Sequence, residues 1–224
     1  MLAKPIISAA AAAGKVKDGD TLMVGGFMAC GTPLTIIMAL KEKGTKGLTL
    51  ISNDTAVHSL KTGTLTGVAH LVSSRQFKKI IASHIGANQE TQRQMNAGET
   101  EVELVPQGTL VERVWAGGAG LGGILTATGV GTEVADGKQV IVVGARSFLL
   151  ELPLRADVAL IKAWKADKAG NLVFNGTARN FNQLMPAAAA LVLAEVEEIV
   201  EIGKIDPNGV HTPSIFVNFL VEAG

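Results

Sequence analysis

The chain has 224 residues, of which 47% are hydrophobic and 18% charged, a composition too apolar and too weakly charged for a disordered protein. Its 20 basic and 20 acidic side chains cancel, which excludes the basic excess of a nucleic-acid-binding protein. One cysteine, Cys30, excludes an internal disulfide, and four scattered histidines (His58, His70, His84, His211) give no zinc-type spacing, so no metal is expected.

The N-terminal stretch carries an alanine run but neither the apolar segment nor the cleavage site of a secretory leader. No stretch approaches the length of a membrane span free of charge and glycine, so a soluble, cytoplasmic protein is expected. The first predicted strand covers residues 21–25. Pro33 then suits a helix start, and Ile36, Ile37 and Leu40 lie on one face before Lys41, Lys43 and a terminating Gly44. Strands follow over 48–52 and 79–82, a helix over 89–97, a strand over 102–105 and a helix over 109–115. The Gly- and Thr-rich stretch 114–132 reads as a loop. Two further strands are predicted over 158–163 and 190–195. Most of these runs do not alternate, as expected for strands buried on both faces of a parallel sheet. No linker or internal repeat divides the chain. The pattern predicts a single α/β domain over residues 1–224, with a mostly parallel sheet flanked by helices.

Charge is uneven along the chain. Residues 1–87 carry ten basic and four acidic side chains, and residues 190–224 carry one lysine against six acids. Solvated faces differing without consequence would give this. So would a basic half facing a polyanionic ligand, with the acidic tail toward solvent or a partner.

Three groups of residues invite a functional reading. The first is Gly25-Gly26-Phe27-Met28-Ala29-Cys30-Gly31, joining a strand end to the helix near Pro33. Glycines there permit positive φ and close approach of a ligand, and the unpaired N–H groups of the next helix turn favour an anion. The segment lacks the G-x-G-x-x-G fingerprint and the Lys-Ser/Thr of a P-loop, and a plain tight turn explains it equally. The second group is Gly117, Gly118, Gly120, Gly122 and Gly123. Each would cost an element interior roughly 1 kcal/mol against alanine, which predicts a loop. The apolar residues Leu121, Ile124, Leu125 and Val130 predict that this loop is buried or interfacial. The third group comprises Asn53 and Gln107, each after an apolar run, where open α/β sheets bind ligands; a turn or N-cap role is the competing reading. No activated nucleophile is recognisable. Cys30 reads as a small buried residue, and the 13 glutamates fall in charged helical or strand-edge settings such as Glu195-Val196-Glu197-Glu198.

Taken together, an ordered set of segments resembles the family I CoA-transferases. It comprises Asp18-Gly19, Leu22-Met23-Val24-Gly25-Gly26-Phe27 with Gly31 and Pro33, and Ile51-Ser52-Asn53-Asp54-Thr55. It continues through Ala82-Ser83-His84-Ile85-Gly86-Ala87-Asn88, Val105-Pro106-Gln107-Gly108-Thr109-Leu110, the 117–123 glycines, Ile161-Lys162-Ala163-Trp164-Lys165-Ala166-Asp167 and Ala178-Arg179-Asn180-Phe181-Asn182. The resemblance is to the alpha subunit of the 3-oxoacid, acetate or butyrate–acetoacetate enzymes. It implies a Rossmann-like fold and ping-pong transfer of CoA between a short-chain acyl-CoA and a carboxylate. It also implies a beta-subunit partner, commonly in an alpha2beta2 assembly, with CoA as substrate and no permanently bound cofactor. The family's catalytic glutamate lies in a Ser-Glu-Asn-Gly motif of the beta subunit. That motif is absent here, so no catalytic residue is expected in this chain. By the same resemblance, Gly25, Gly26, Phe27, Met28, Ala29, Cys30 and Gly31 correspond to a CoA-binding segment, and Gln107 and Asn53 to the carboxylate pocket. Gly117, Gly118, Gly120, Gly122 and Gly123 correspond to a wall near the contact between the two chains. The Asn53-Asp54 pair resembles the bacterial short-chain enzymes, whereas the 162–167 and 178–182 segments resemble the ketoacid type. Acetate, butyrate, acetoacetate and succinate all remain open. The competing reading is a sugar-phosphate-binding or sensor module on a related fold, which would want a phosphate-sugar loop and a DNA-binding helix pair. A self-sufficient sugar-phosphate isomerase would want an acid/base carboxylate in a glycine-rich turn. None of these features is found.

Overall fold

The sheet begins with β1 (Thr21–Val24), in which Leu22 and Val24 face one side and Met23 the other, and all three are buried. A strand apolar on both faces must be covered on both, and the rest of the architecture supplies that cover. The computed structural model describes residues 2–224. Its main sheet also contains β2 (Leu48–Asp54), β3 (Phe77–His84), β4 (Glu101–Leu104), β8 (Ala156–Asp167), β9 (Leu172–Val173), β10 (Ala189–Val200) and β11 (Phe219–Glu222). The order is β11-β10-β8-β1-β2-β3-β4, all parallel, with β9 antiparallel to β8. The predicted parallel α/β sheet is observed.

Helices α1 (Ala9–Ala13), α2 (Leu34–Lys43) and α3 (Ala69–Ser73) cover one face, where Ile36, Ile37, Leu40 and Leu71 meet Leu22, Leu50, Ile80 and Leu160. Ser8 caps α1 by accepting from the Ala11 N–H at 3.1 Å, and the alanine run is helical as a result. Helix α2 ends at Gly44, whose φ of 73° is the left-handed value a stop needs. Helix α4 (Gln89–Asn96) is capped by Asn88. The opposite face is covered by α5 (Gln107–Ala119) and short 3-10 turns over 181–188, where Leu110, Val114 and Met185 meet Met23, Ile51 and Ile161.

Two expectations are corrected. Helix α5 does not stop at 115. It runs through Gly117 and Gly118, which therefore belong to a helix and not to a loop. A Cβ on Gly117 would lie 1.9 Å from the Leu154 carbonyl oxygen, and one on Gly118 would lie 2.8 Å from the Ala187 Cβ. Their lack of a side chain serves close packing, not flexibility. Gly120 caps the helix at φ 72°, and the chain loops through Gly122 and Gly123 into β5 (Ile124–Thr126). The apolar residues of this stretch are not buried either, with Leu121 51% and Leu125 43% exposed. The second correction is a small antiparallel sheet of order β5-β7-β6, formed with β6 (Val140–Val143) and β7 (Arg146–Glu151). These strands are short and partly exposed, so the sequence carries little periodic signal for them.

Candidate active site

Strand β1 lies between β2 and β8, the point from which chain connections run outward in both directions across the sheet. Ligands of open α/β sheets bind in the crevice beyond the strand C-termini at such a point. Here the 25–31 segment occupies that position. Phe27 and Cys30 exchange both backbone hydrogen bonds, at 3.0 and 2.8 Å, around a two-residue turn. Its central residues, Met28 (φ 47°) and Ala29 (φ 69°), are both in the left-handed region. This is hairpin-turn geometry that glycine or asparagine normally fills, and side chains there cost of order 1–3 kcal/mol each. Strain of this kind persists where the surroundings over-determine it. Here the Met28 N–H donates to Asp54 Oδ2 at 2.9 Å.

On the β2 side of the turn, a cleft of about 300 Å³ is lined by Phe27, Met28, Asn53, Asp54, Ser83, His84 and Gln107. The C-terminal ends of β2 and β3 and the first residue of α5 converge on it. Gln107 Nε2 donates to Asn53 Oδ1 at 2.5 Å, and Asn53 Nδ2 donates to Asp54 Oδ2 at 2.7 Å. Asp54 Oδ1 accepts from the Ala56 N–H at 2.7 Å, and Ser83 Oγ donates to the Asn53 carbonyl at 2.7 Å. A continuous chain of hydrogen bonds thus runs from Gln107 through Asn53 and Asp54 to the strained turn. Asn53 is buried, whereas Gln107 is exposed. An amide nitrogen carries two N–H groups, and the second of Gln107 has no partner among the described residues. The structure therefore brings together Gln107, Asn53, Phe27 and Met28, which the sequence singled out separately. It does not bring Gly117 or Gly118 to this cleft.

The other side of the turn corrects the reading of the glycines. Residues Asn180 and Asn182, quoted in the sequence only as part of the resemblance, fill the crevice between β1 and β8. Asn182 is buried, accepts from the Lys162 N–H at 3.0 Å, and donates to the carbonyls of Gly31 and Ala178 at 2.8 Å. Asn180 accepts from the Gly26 N–H at 3.2 Å. A Cβ on Gly25 would lie 1.8 Å from Asn182 Oδ1, one on Gly26 2.2 Å from Thr32 Oγ1, and one on Gly31 2.7 Å from the Ala178 carbonyl oxygen. At these three glycines the close neighbour is the protein itself. Cys30, expected to be buried, is exposed at the apex with its sulfur 3.5 Å from Thr177 Oγ1.

The anion expected at the start of α2 is also supplied internally. Glu195 Oε2 accepts from the Ile36 N–H at 3.1 Å in the first turn of the helix. Its other oxygen lies 3.7 Å from Lys162 Nζ. Burial pushes the Glu195 carboxyl above its ordinary range, against the Ile36 N–H and Lys162, which act to lower it. Glu195 is thus not in a charged strand-edge setting. Strand β10 is flanked by β8 and β11, and the residue is 1% exposed. The clue in the sequence was its position directly after the apolar run Leu191-Val192-Leu193-Ala194.

Comparison with known proteins decides what this arrangement is. The family model described as Coenzyme A transferase matches residues 6–223. The chain belongs to that family. Among its relatives, one of the two subunits of the succinyl-CoA:3-ketoacid coenzyme A transferase of Xanthomonas campestris is 53% identical over 95% of this chain and 85% of its own length. The alpha subunit of the acetate CoA-transferase of Escherichia coli is 49% identical over 94% of this chain and 93% of its own. The fold is that of an acyl-CoA transferase from E. coli O157:H7 solved as a thioester complex with CoA, with a TM-score of 0.87 at 20% identity. That match covers 98% of this chain and 47% of the solved one, so the chain spans about half the length of that enzyme. Family membership decides between the transferase and the sugar-phosphate module in favour of the former. Among the described residues, no helix of this CoA-transferase chain is long and apolar enough to cross a membrane.

Proposed function

We propose that this chain is the alpha subunit of a two-chain CoA-transferase and forms one wall of a shared active site, in an alpha2beta2 assembly. The reaction is CoA transfer between a short-chain acyl-CoA and a small carboxylate. A partner glutamate attacks the thioester carbonyl, giving an acyl–glutamyl anhydride and releasing the CoA thiolate. The thiolate then attacks the glutamyl carbonyl, which expels the carboxylate and leaves a glutamyl–CoA thioester. A second carboxylate reverses these steps and departs as the new acyl-CoA. This chain's part is to bind and orient. Gln107 offers its unpaired N–H to the reacting carboxylate, while Asn53 holds the Gln107 amide in place. An amide suits this task because a cation would hold the carboxylate firmly and blunt its nucleophilicity. The turn at 27–30, with Gly25, Gly26 and Gly31 fixing its base, contacts CoA. The C-terminal end of α5 with Gly117 and Gly118, and the loop through Gly120, Gly122 and Gly123, faces the partner.

The observation that carries this reading is the cleft itself, which joins amide donors at two strand ends yet has no glutamate in its lining. The test is to incubate this chain alone, and in complex with its beta subunit, with acetyl-CoA and acetoacetate or butyrate. Transfer is expected only from the complex, with mass spectrometry locating a CoA adduct on the beta chain. Turnover by the chain alone, or an adduct on it, would refute the proposal.

A further inference from the structure

Relatives named for succinyl-CoA and for acetate are nearly equally similar to this chain, at 53% and 49% identity, so overall similarity does not choose between a dicarboxylate and a monocarboxylate substrate. The cleft does choose. Its lining residues include one carboxylate, Asp54, and no lysine or arginine. Asp54 is buried, and three N–H donors (Met28, Ala56 and the Asn53 amide) fix its two oxygens in place. These are neutral dipoles, so they orient the carboxylate without cancelling its charge. Phe27 and Met28 form an apolar part of the same lining and keep substantial exposed surface.

We infer that Asp54 is a specificity-determining residue that reserves this cleft for monocarboxylates with an apolar tail and turns away dicarboxylates such as succinate. The inference rests on the reading of the cleft as the acyl site of a CoA-transferase. Its logic does not depend on the orientation of the substrate. At every stage of the transfer a dicarboxylate carries one more negative charge than a monocarboxylate. That charge must sit in a space of about 300 Å³ that already holds a fixed one. In a partly desolvated site two like charges repel strongly, and no cation in this wall offsets the repulsion. An alkyl end of acetate, butyrate or the methyl ketone of acetoacetate instead meets Phe27 and Met28.

The test uses the complex of this chain with its beta subunit, held at pH 8, with acetyl-CoA as donor and four acceptors: acetoacetate, butyrate, succinate and monomethyl succinate. The monomethyl ester has nearly the length of succinate but one charge fewer, so it separates charge from size. Monomethyl succinate is expected to exceed succinate in kcat/KM by about ten- to hundredfold, each tenfold corresponding to about 1.4 kcal/mol. Asp54→Asn keeps an oxygen able to accept from the Met28 N–H and is expected to reduce that ratio to within about threefold of unity. Equal rates with succinate and its monomethyl ester in the unaltered complex would overturn the inference, whatever the variant does. An unchanged ratio in a folded Asp54→Asn complex would assign the discrimination to another group and overturn the role of Asp54. Absence of transfer to every acceptor would overturn the transferase reading itself, and the inference with it.

Discussion

On the β2 side of the turn at 27–30, polar side chains are chained to one another yet leave a donor over. Gln107 spends one N–H on Asn53 and keeps the other unpaired. On the β8 side the polar atoms of Asn182 are consumed by the chain's own backbone, and the crevice is filled. The two sides flank the same seven residues, yet one is shaped for a substrate and the other for rigidity. The contrast changes the meaning of the glycines between them. They allow a buried asparagine to approach the strand end, and this fixes the base of a turn whose exposed apex, Phe27 to Cys30, is left for a ligand.

The comparison can be broken from its rigid side first. Gly25→Ala places a methyl group against Asn182 and forces it from its bonds with Lys162, Gly31 and Ala178. Unsatisfied buried groups cost about 1–3 kcal/mol each, so a loss of about 3 kcal/mol or more is expected. In a chain of this size that is a fall in Tm of roughly 6–12 °C. Adding Asn182→Ala should cost less in the Gly25→Ala background than alone, and strict additivity in thermal unfolding would contradict the packing argument. Next in size is Gly117→Ala, whose methyl group would meet the Leu154 carbonyl, with an expected loss of about 2–3 kcal/mol. Gly122→Ala, with nothing within 4 Å, should change stability by less than about 0.5 kcal/mol. Equal effects at the two sites would undo the distinction between helix and loop drawn above.

On the substrate side the signature is reversed. Gln107→Ala should leave Tm nearly unchanged, because the side chain is exposed. It should lower kcat/KM for the acceptor carboxylate by about ten- to hundredfold, the value of a hydrogen bond to a charged group. Gln107→Glu should lower it further by adding charge beside Asp54 and the substrate. Acceptor kinetics with assembly checked by size-exclusion chromatography would read this directly, and wild-type behaviour of Gln107→Glu would remove Gln107 from the site. The smallest expected effect is a pH dependence at Glu195. Burial raises its carboxyl in the folded chain above the unfolded value, so the folded state binds that proton more tightly. Its contribution is therefore most favourable below the ordinary glutamate range and declines as pH rises through the raised folded value. Glu195→Gln keeps an acceptor for the Ile36 N–H. The stability of this variant relative to the unaltered chain should increase as pH rises across that window, as read by denaturant unfolding at several pH values. A difference independent of pH would show that Glu195 does not titrate differently on folding.

The sequence by itself determined the parallel sheet, because runs such as Leu48 to Ser52 are apolar on both faces and need cover on both. It also determined α2, where apolar spacing and a terminating glycine agree, and the placing of Asn53 and Gln107 at strand ends. These are local properties, carried by periods of two and 3.6 residues. Only the tertiary structure decided that Gln107 and Asn53 touch across 54 positions of chain, that Asn182 fills the crevice at Gly25, and that Glu195 occupies the start of α2. It also decided that Gly117 is helical, since the reason for that glycine is the Leu154 carbonyl and not any neighbour in sequence. Each of these is a contact between residues distant along the chain. Such a contact leaves no periodicity in either segment, so it becomes visible only when the fold brings the two together.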